Sequence, residues 1–108
     1  MSIEVHYQSV ETFHVPCIDV HPTTGPVVLS ASSVDVAMPA VGASPTSWVS
    51  TTWASGTYRQ GDLRWYMAVL DLSDFTLAAG TTYQPWVRIG GSGGSILKAT
   101  DTIKAINT

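Results

Sequence analysis

Apolar and polar residues alternate with period two along most of this chain, as in strands that bury one face. No segment keeps a helical period over a useful length. Residues 1–10 set Ile3, Val5 and Tyr7 on one face and Glu4, His6 and Gln8 on the other. Residues 12–20 (TFHVPCIDV) group Phe13, Val15 and Cys17, and Pro16 marks an edge strand or a bulge. Residues 21–26 (HPTTGP) are dense in turn formers, and residues 26–31 allow only a brief extended piece. Val34, Val36 and Met38 then alternate; Pro39 and the β-branched residues disfavour a competing helix over 31–41. Trp48 to Trp53 (WVSTTW) is rich in strand formers, and a short edge strand is expected near Thr57 to Arg59. Leu63 to Leu72 is apolar on both faces, so it is expected to be central or covered from outside. The last run sets Leu97, Ala99, Ile103 and Ala105 against Lys98, Thr100, Thr102 and Lys104.

Leu77-Ala78-Ala79-Gly80-Thr81-Thr82-Tyr83 describes a turn that climbs into a strand, Gln84 to Ile89. In immunoglobulin-like sandwiches a Tyr at this place bonds back to the corner before it. Period two then puts Tyr83, Pro85, Val87 and Ile89 on the core face and Gln84, Trp86 and Arg88 outside. Turn signals recur roughly every ten residues, as sandwiches require. The expected fold is an all-β, immunoglobulin-like antiparallel β-sandwich of about seven strands over residues 12–108. Residues 1–11 precede it as an N-terminal strand or arm. The strand reading pairs them with the body; the arm reading adds Ile3, Val5 and Tyr7 to a neighbouring subunit's sheet. Trp48 to Trp53 is expected beside the Tyr83 strand, with one Trp in the core and the other outside.

Composition narrows the functions. The chain of 108 residues is long enough for a single core, and charged residues are only 12% with a net charge of −3. Nucleic acid is not expected as a partner, because Arg59, Arg64, Arg88, Lys98 and Lys104 form no run. Glu4, His6 and Glu11 interrupt the apolar residues near the N-terminus. Neither a signal-peptide core nor a membrane span is expected, nor export by the general route. Cys17 is alone, so no internal disulfide and no cysteine-only metal site can form.

The candidate chemistry is thin. Gly90-Gly91-Ser92-Gly93-Gly94 satisfies G-x-S-x-G by spelling, but a strand follows where a helix is needed and no His lies beyond His21. His14, Cys17 and His21 have zinc-type side chains, yet an extended backbone points His14 away from Cys17 and a fourth ligand is wanting. Asp71 and Asp74, with Asp62 or Asp101, offer too few oxygens for calcium, and a turn cap is the better reading. Arg59-Gln60-Gly61-Asp62 departs from Arg-Gly-Asp by its Gln. No catalytic residue, metal or cofactor is expected.

What remains is aromatic. Four Trp and four Tyr exceed what one small core uses. An outward Trp-Arg pair has the composition of an interface centre, and it could equally stack on sugar rings or be covered within the monomer. The candidate partner-binding residues are Trp48, Trp53, Trp86, Arg88, Ile3, Val5 and Tyr7.

Certain stretches carry a resemblance: Val15-Pro16-Cys17-x-Asp19-Val20, Gly25-Pro26-Val27-Val28-Leu29, Ser33 to Met38, Trp48…Trp53, Met67 to Leu72, and Leu77-x-x-Gly80-Thr81-x-Tyr83-x-x-Trp86-Val87-Arg88-Ile89. Over about residues 12–106 the chain resembles small immunoglobulin-like proteins encoded among the virion genes of tailed phages infecting actinobacteria. Thr82 and Pro85 depart from the usual pattern of that last strand. The resemblance implies a non-enzymatic structural protein of the head or head-tail region, assembled in the host cytoplasm and present in the virion. Its implied partners are other virion proteins, capsid or connector subunits, in many copies. The alternative is a module that holds the particle to a cell-surface glycan.

Overall fold

The computed structural model describes all residues except 1, 18–19, 22–24, 27–32, 55–57, 61–62, 92–94 and 108. For residues 2, 20–21, 25–26, 58–60, 63–65 and 95 it describes the backbone only. The expected arrangement of Gly25 to Leu29 and of Asp19 thus lies largely outside the described residues.

The chain is all-β, built from several largely antiparallel sheets, with no α-helix among the described residues. In chain order the strands are β1 (Ser2–His6), β2 (Thr12–Cys17), β3 (Val20–His21), β4 (Gly25–Pro26), β5 (Val34–Ala37), β6 (Val49–Thr51), β7 (Tyr58–Gln60), β8 (Leu63–Asp71), β9 (Thr82–Tyr83), β10 (Trp86–Ile89), β11 (Ser95–Lys98) and β12 (Thr102–Ile106). A short 3₁₀ turn, Leu72–Asp74, follows β8.

Strand β8 is central, as its two apolar faces demand. β2 pairs along one edge from Thr12↔Asp71 to Cys17↔Tyr66, and β7 forms a hairpin with its start on the other. Beyond β7, that second edge is met by residues 52–54. Trp53 bridges Ala68, the Ala54 N–H donates to Met67 O at 2.8 Å, and the Val69 N–H donates to Thr52 O at 3.1 Å. Residues 49–51 pair with β5, so this one segment passes from one sheet to the next and ties them together. Pro16 is exposed on β2, which pairs with β8 alone among the described strands, the place where a residue without an N–H is tolerated.

The second assembly is organised around residues 82–89. β10 lies between β5 and β11, antiparallel to both. The β5 register continues past its end: Ala40 bridges Tyr83, the Gln84 N–H donates to Pro39 O at 2.8 Å, and the Val41 N–H donates to Thr82 O at 3.0 Å. On the other side β12 takes over from β11 and pairs with β9. Between them residues 99–101 bulge, because Trp86 faces Lys98 but Tyr83 faces Ile103. β1 then adds to β12 in parallel, Ser2↔Thr102 through His6↔Ile106.

Buried side chains from both assemblies form one core. Val15, Cys17, Tyr66, Ala68 and Leu70 come from β2 and β8; Val34, Val36, Val87 and Ile89 come from β5 and β10. The turn into β9 is held as the sequence requires. Gly80 sits at φ +89°, a conformation that glycine adopts without cost, and its N–H donates to Ala105 O at 2.8 Å. The Tyr83 hydroxyl reaches back and accepts the Ala78 N–H at 2.7 Å.

Two expectations need correction and one choice left open is decided. The strand beside β10 is β5, not Trp48 to Trp53, which lies one strand further out as β6. Of the two readings of the N-terminal strand, the structure has the one that pairs it with the body: it finds a free edge on β12, Val5 is 4% exposed within the core, and Ile3 and Tyr7 pack against it. Gln84 does not face outward but is 6% exposed. Its amide nitrogen donates to Ala99 O at 2.9 Å and Pro85 O at 3.2 Å, satisfying the carbonyl that the bulge leaves out of the ladder.

Candidate partner-binding face

Alternation along β5 and β10 buries Val34, Val36, Val87 and Ile89, so the intervening residues form the opposite face of the sheet. In one row across that face Lys98 pairs with Trp86 and Trp86 with Ala37. The β5–β6 register, carried one residue past Val36↔Val49, brings Trp48 beside Ala37. Ala37 is 1% exposed, as a methyl group flanked by two indoles would be. The next row runs Ile96, Arg88, Asp35 and Ser50.

Cations lie over both rings. The Arg88 guanidinium carbon is 4.8 Å from the Trp48 ring centroid, and Lys98 Nζ is 5.5 Å from that of Trp86. Each contact of this kind is worth about 0.5–1 kcal/mol where water has access. Arg88 is held in place by Asp35: Nε and Nη2 both donate to Oδ2, at 3.0 and 2.9 Å. Both residues are half-buried, so the pair orients the guanidinium over Trp48 as well as compensating its charge. Ile96, directly opposite Arg88, is 53% exposed.

Of the residues expected to bind a partner, the structure brings together Trp48, Trp86 and Arg88. Trp53 lies elsewhere: it packs against the core and meets Tyr66 edge-on, with ring centroids 6.1 Å apart. Of the two candidate Trp residues, Trp53 is therefore the inner one. Ile3, Val5 and Tyr7 lie on β1 and the turn after it, and Val5 has no surface to offer a partner. Asp35, Ile96 and Lys98 complete the face and were missed as functional candidates. The Val34-Asp35-Val36 and Ile96-Leu97-Lys98 alternations held the signal, since each sets a polar or exposed residue on the face opposite the core.

Elsewhere the chemistry is structural. Among the described residues no three His, Cys, Asp or Glu side chains are grouped to hold a metal ion. Cys17 is buried, its Sγ donates to Val15 O at 3.4 Å, and burial pushes its pKa up to about 11. His14 points outward from the same strand. Asp71 caps the 3₁₀ turn: its Oδ1 accepts the Ser73 hydroxyl at 2.7 Å and the Ser73 N–H at 3.0 Å, which lower its pKa. No described helix is long and apolar enough to cross a membrane. No family model, curated protein or solved structure matches the chain.

Proposed function

We propose that this chain is an immunoglobulin-like β-sandwich serving as a non-enzymatic structural subunit of a tailed-phage virion, where it docks onto neighbouring capsid or connector subunits. For the fold, the support is the back-bonded Tyr83 together with seven long strands once β9 joins β10, β11 joins β12 and β6 runs on to residue 54. For the virion setting, the support is the resemblance carried by Leu77 to Ile89. The observation behind docking is the pair of indoles on one sheet face, each with a cation over its ring, beside an exposed Ile96. Aromatic and Arg side chains in fixed positions are what interface centres use, and repetition in a particle lets each contact be weak.

A carbohydrate-binding module is the second reading. It is disfavoured because both indoles already carry a cation, which leaves less ring for a sugar to stack on. Co-sedimentation of the purified protein separates the two readings. Docking predicts binding to virion shells lacking this protein, weakened by Trp86→Ala, and none to host cell-wall glycan. Binding to glycan alone would favour the second reading. If Trp86→Ala changed neither, the face would be wrongly assigned.

A further inference from the structure

Pro85 and Ala99 stand opposite each other where β10 meets β11, and the Ala99 N–H donates to Pro85 O at 3.0 Å. An antiparallel ladder returns this bond from the N–H of the facing residue, and proline has none to give. Gln84 makes the return bond instead. Its buried amide nitrogen donates to Ala99 O at 2.9 Å and to Pro85 O at 3.2 Å.

A second register competes with the one observed. Two residues separate Tyr83 from Trp86, but four separate Lys98 from Ile103, so the bulge holds two extra residues. Shifting β11 by two along β10 would pair Trp86 with Thr100, Val87 with Ala99, Arg88 with Lys98 and Ile89 with Leu97. The ladder would then run without a bulge into the Tyr83↔Ile103 pair. A shift of two keeps every side chain on its own face, so Leu97 and Ala99 would still pack toward the core. The turn after β10 can take up the slack, since Gly90 and Gly91 already sit at φ +86° and +75°. Ala99 O would gain the Val87 N–H, and Gln84 would no longer be needed. Against the shift stands the like charge of Lys98 facing Arg88.

We infer that Gln84 is a positioning residue that selects between these registers: its side-chain amide replaces the N–H that Pro85 lacks. It thereby holds β11 two residues away from the register that β12 would impose. The selection keeps Lys98 over Trp86 and Ile96 opposite Arg88. It concerns strand pairing within the chain and goes beyond the docking reading, standing whether or not a partner binds this face.

The test reads the register directly, from Hα–Hα nuclear Overhauser contacts in the isotopically labelled full chain. Such contacts are strong across the closely spaced pairs, here Trp86 with Lys98 and Arg88 with Ile96. The shifted register replaces them with position 86 to 100 and position 88 to 98. All chains carry Lys98→Glu, an exposed change that turns the repulsion at 88 and 98 into attraction and brings the shifted register within reach. Adding Gln84→Met, which keeps the bulk and removes the amide, is expected to raise the ratio of shifted to original contacts about fivefold or more. Adding Pro85→Ala as well restores a main-chain donor and is expected to bring the original contacts back. An unchanged ratio in Gln84→Met overturns the inference. So does a raised ratio that Pro85→Ala fails to reverse, because the side chain would then act through packing alone. Should Gln84→Met prevent folding, Pro85→Ala must recover a folded chain with the original contacts, and failure to do so overturns the inference too. None of these outcomes involves a partner, so the docking reading is judged separately.

Discussion

Replacing Tyr83 by Phe removes one oxygen and leaves the ring in place. That oxygen accepts the Ala78 N–H at 2.7 Å and anchors the turn to the strand that carries Trp86 and Arg88. A net hydrogen bond contributes about 0.5–1.5 kcal/mol, and an N–H stranded out of reach of water costs about 1–3. The bond is only part-buried and Ala78 itself is exposed, so water partly replaces the lost acceptor. The expected loss is therefore about 1–1.5 kcal/mol, near the upper end of the first range. For a domain of this size it lowers Tm by roughly 4–8 °C. Urea denaturation followed by Trp fluorescence, with thermal scans by circular dichroism, measures both. The midpoint should fall with an unchanged m-value. Gly80→Ala provides a comparison: nothing lies within 4 Å of the added methyl, so its cost is the strain of φ +89° alone, about 1–2 kcal/mol. If Tyr83→Phe is as stable as wild type, the corner does not hold the turn and the reasoning from Tyr83 fails.

Other consequences follow from the core and the titrating groups. Leu70→Ala empties a fully buried site between the sheets and should destabilise by about 2–5 kcal/mol in chemical denaturation; a loss below 1 kcal/mol would mean that the core is elsewhere. The Cys17 thiol, with its pKa pushed up to about 11 by burial, should resist a disulfide reagent at pH 8 until the chain unfolds. Because that pKa lies above the usual 9.0, the neutral thiol's contribution to stability is complete below about pH 9 and lost as pH rises through about 11. Prompt labelling of the native protein would contradict its burial. Asp71 has the opposite sign: its pKa is lowered by Ser73, so its contribution is present above the usual carboxylate range near pH 4 and lost as pH falls through the lowered value. The stability gap between wild type and Asp71→Asn should thus be constant from pH 7 to about 5 and close in stronger acid.

The strands themselves were legible where burial on one face imposes period two. Val34 and Val36, Val15 and Cys17, and Ile103 and Ala105 are all buried as their alternation requires. The central place of β8 followed from its two apolar faces, and the Tyr83 bond from its distance to the Gly80 turn. Pairing partners were not legible. A tryptophan-rich strand was expected beside β10, but side-chain type does not encode which backbone edges meet, and the register places β5 there. The burial of Gln84 was equally hidden, because it depends on a bulge at 99–101 that exists only when β9–β10 and β11–β12 are aligned. The same limit shaped the site. The outward Trp86 and Arg88 could be read from one strand, while the Asp35 and Lys98 contacts required two neighbours.

The most direct test of the proposed docking in a virion is oxidative footprinting by mass spectrometry of the chain bound to the proposed particle, compared with the free protein. The account predicts that Trp48, Trp86 and Ile96 are strongly protected in the particle, while Val10, which is 71% exposed and away from that sheet, is oxidised equally in both. Equal oxidation of Trp48 and Trp86 in the free and assembled protein would contradict it.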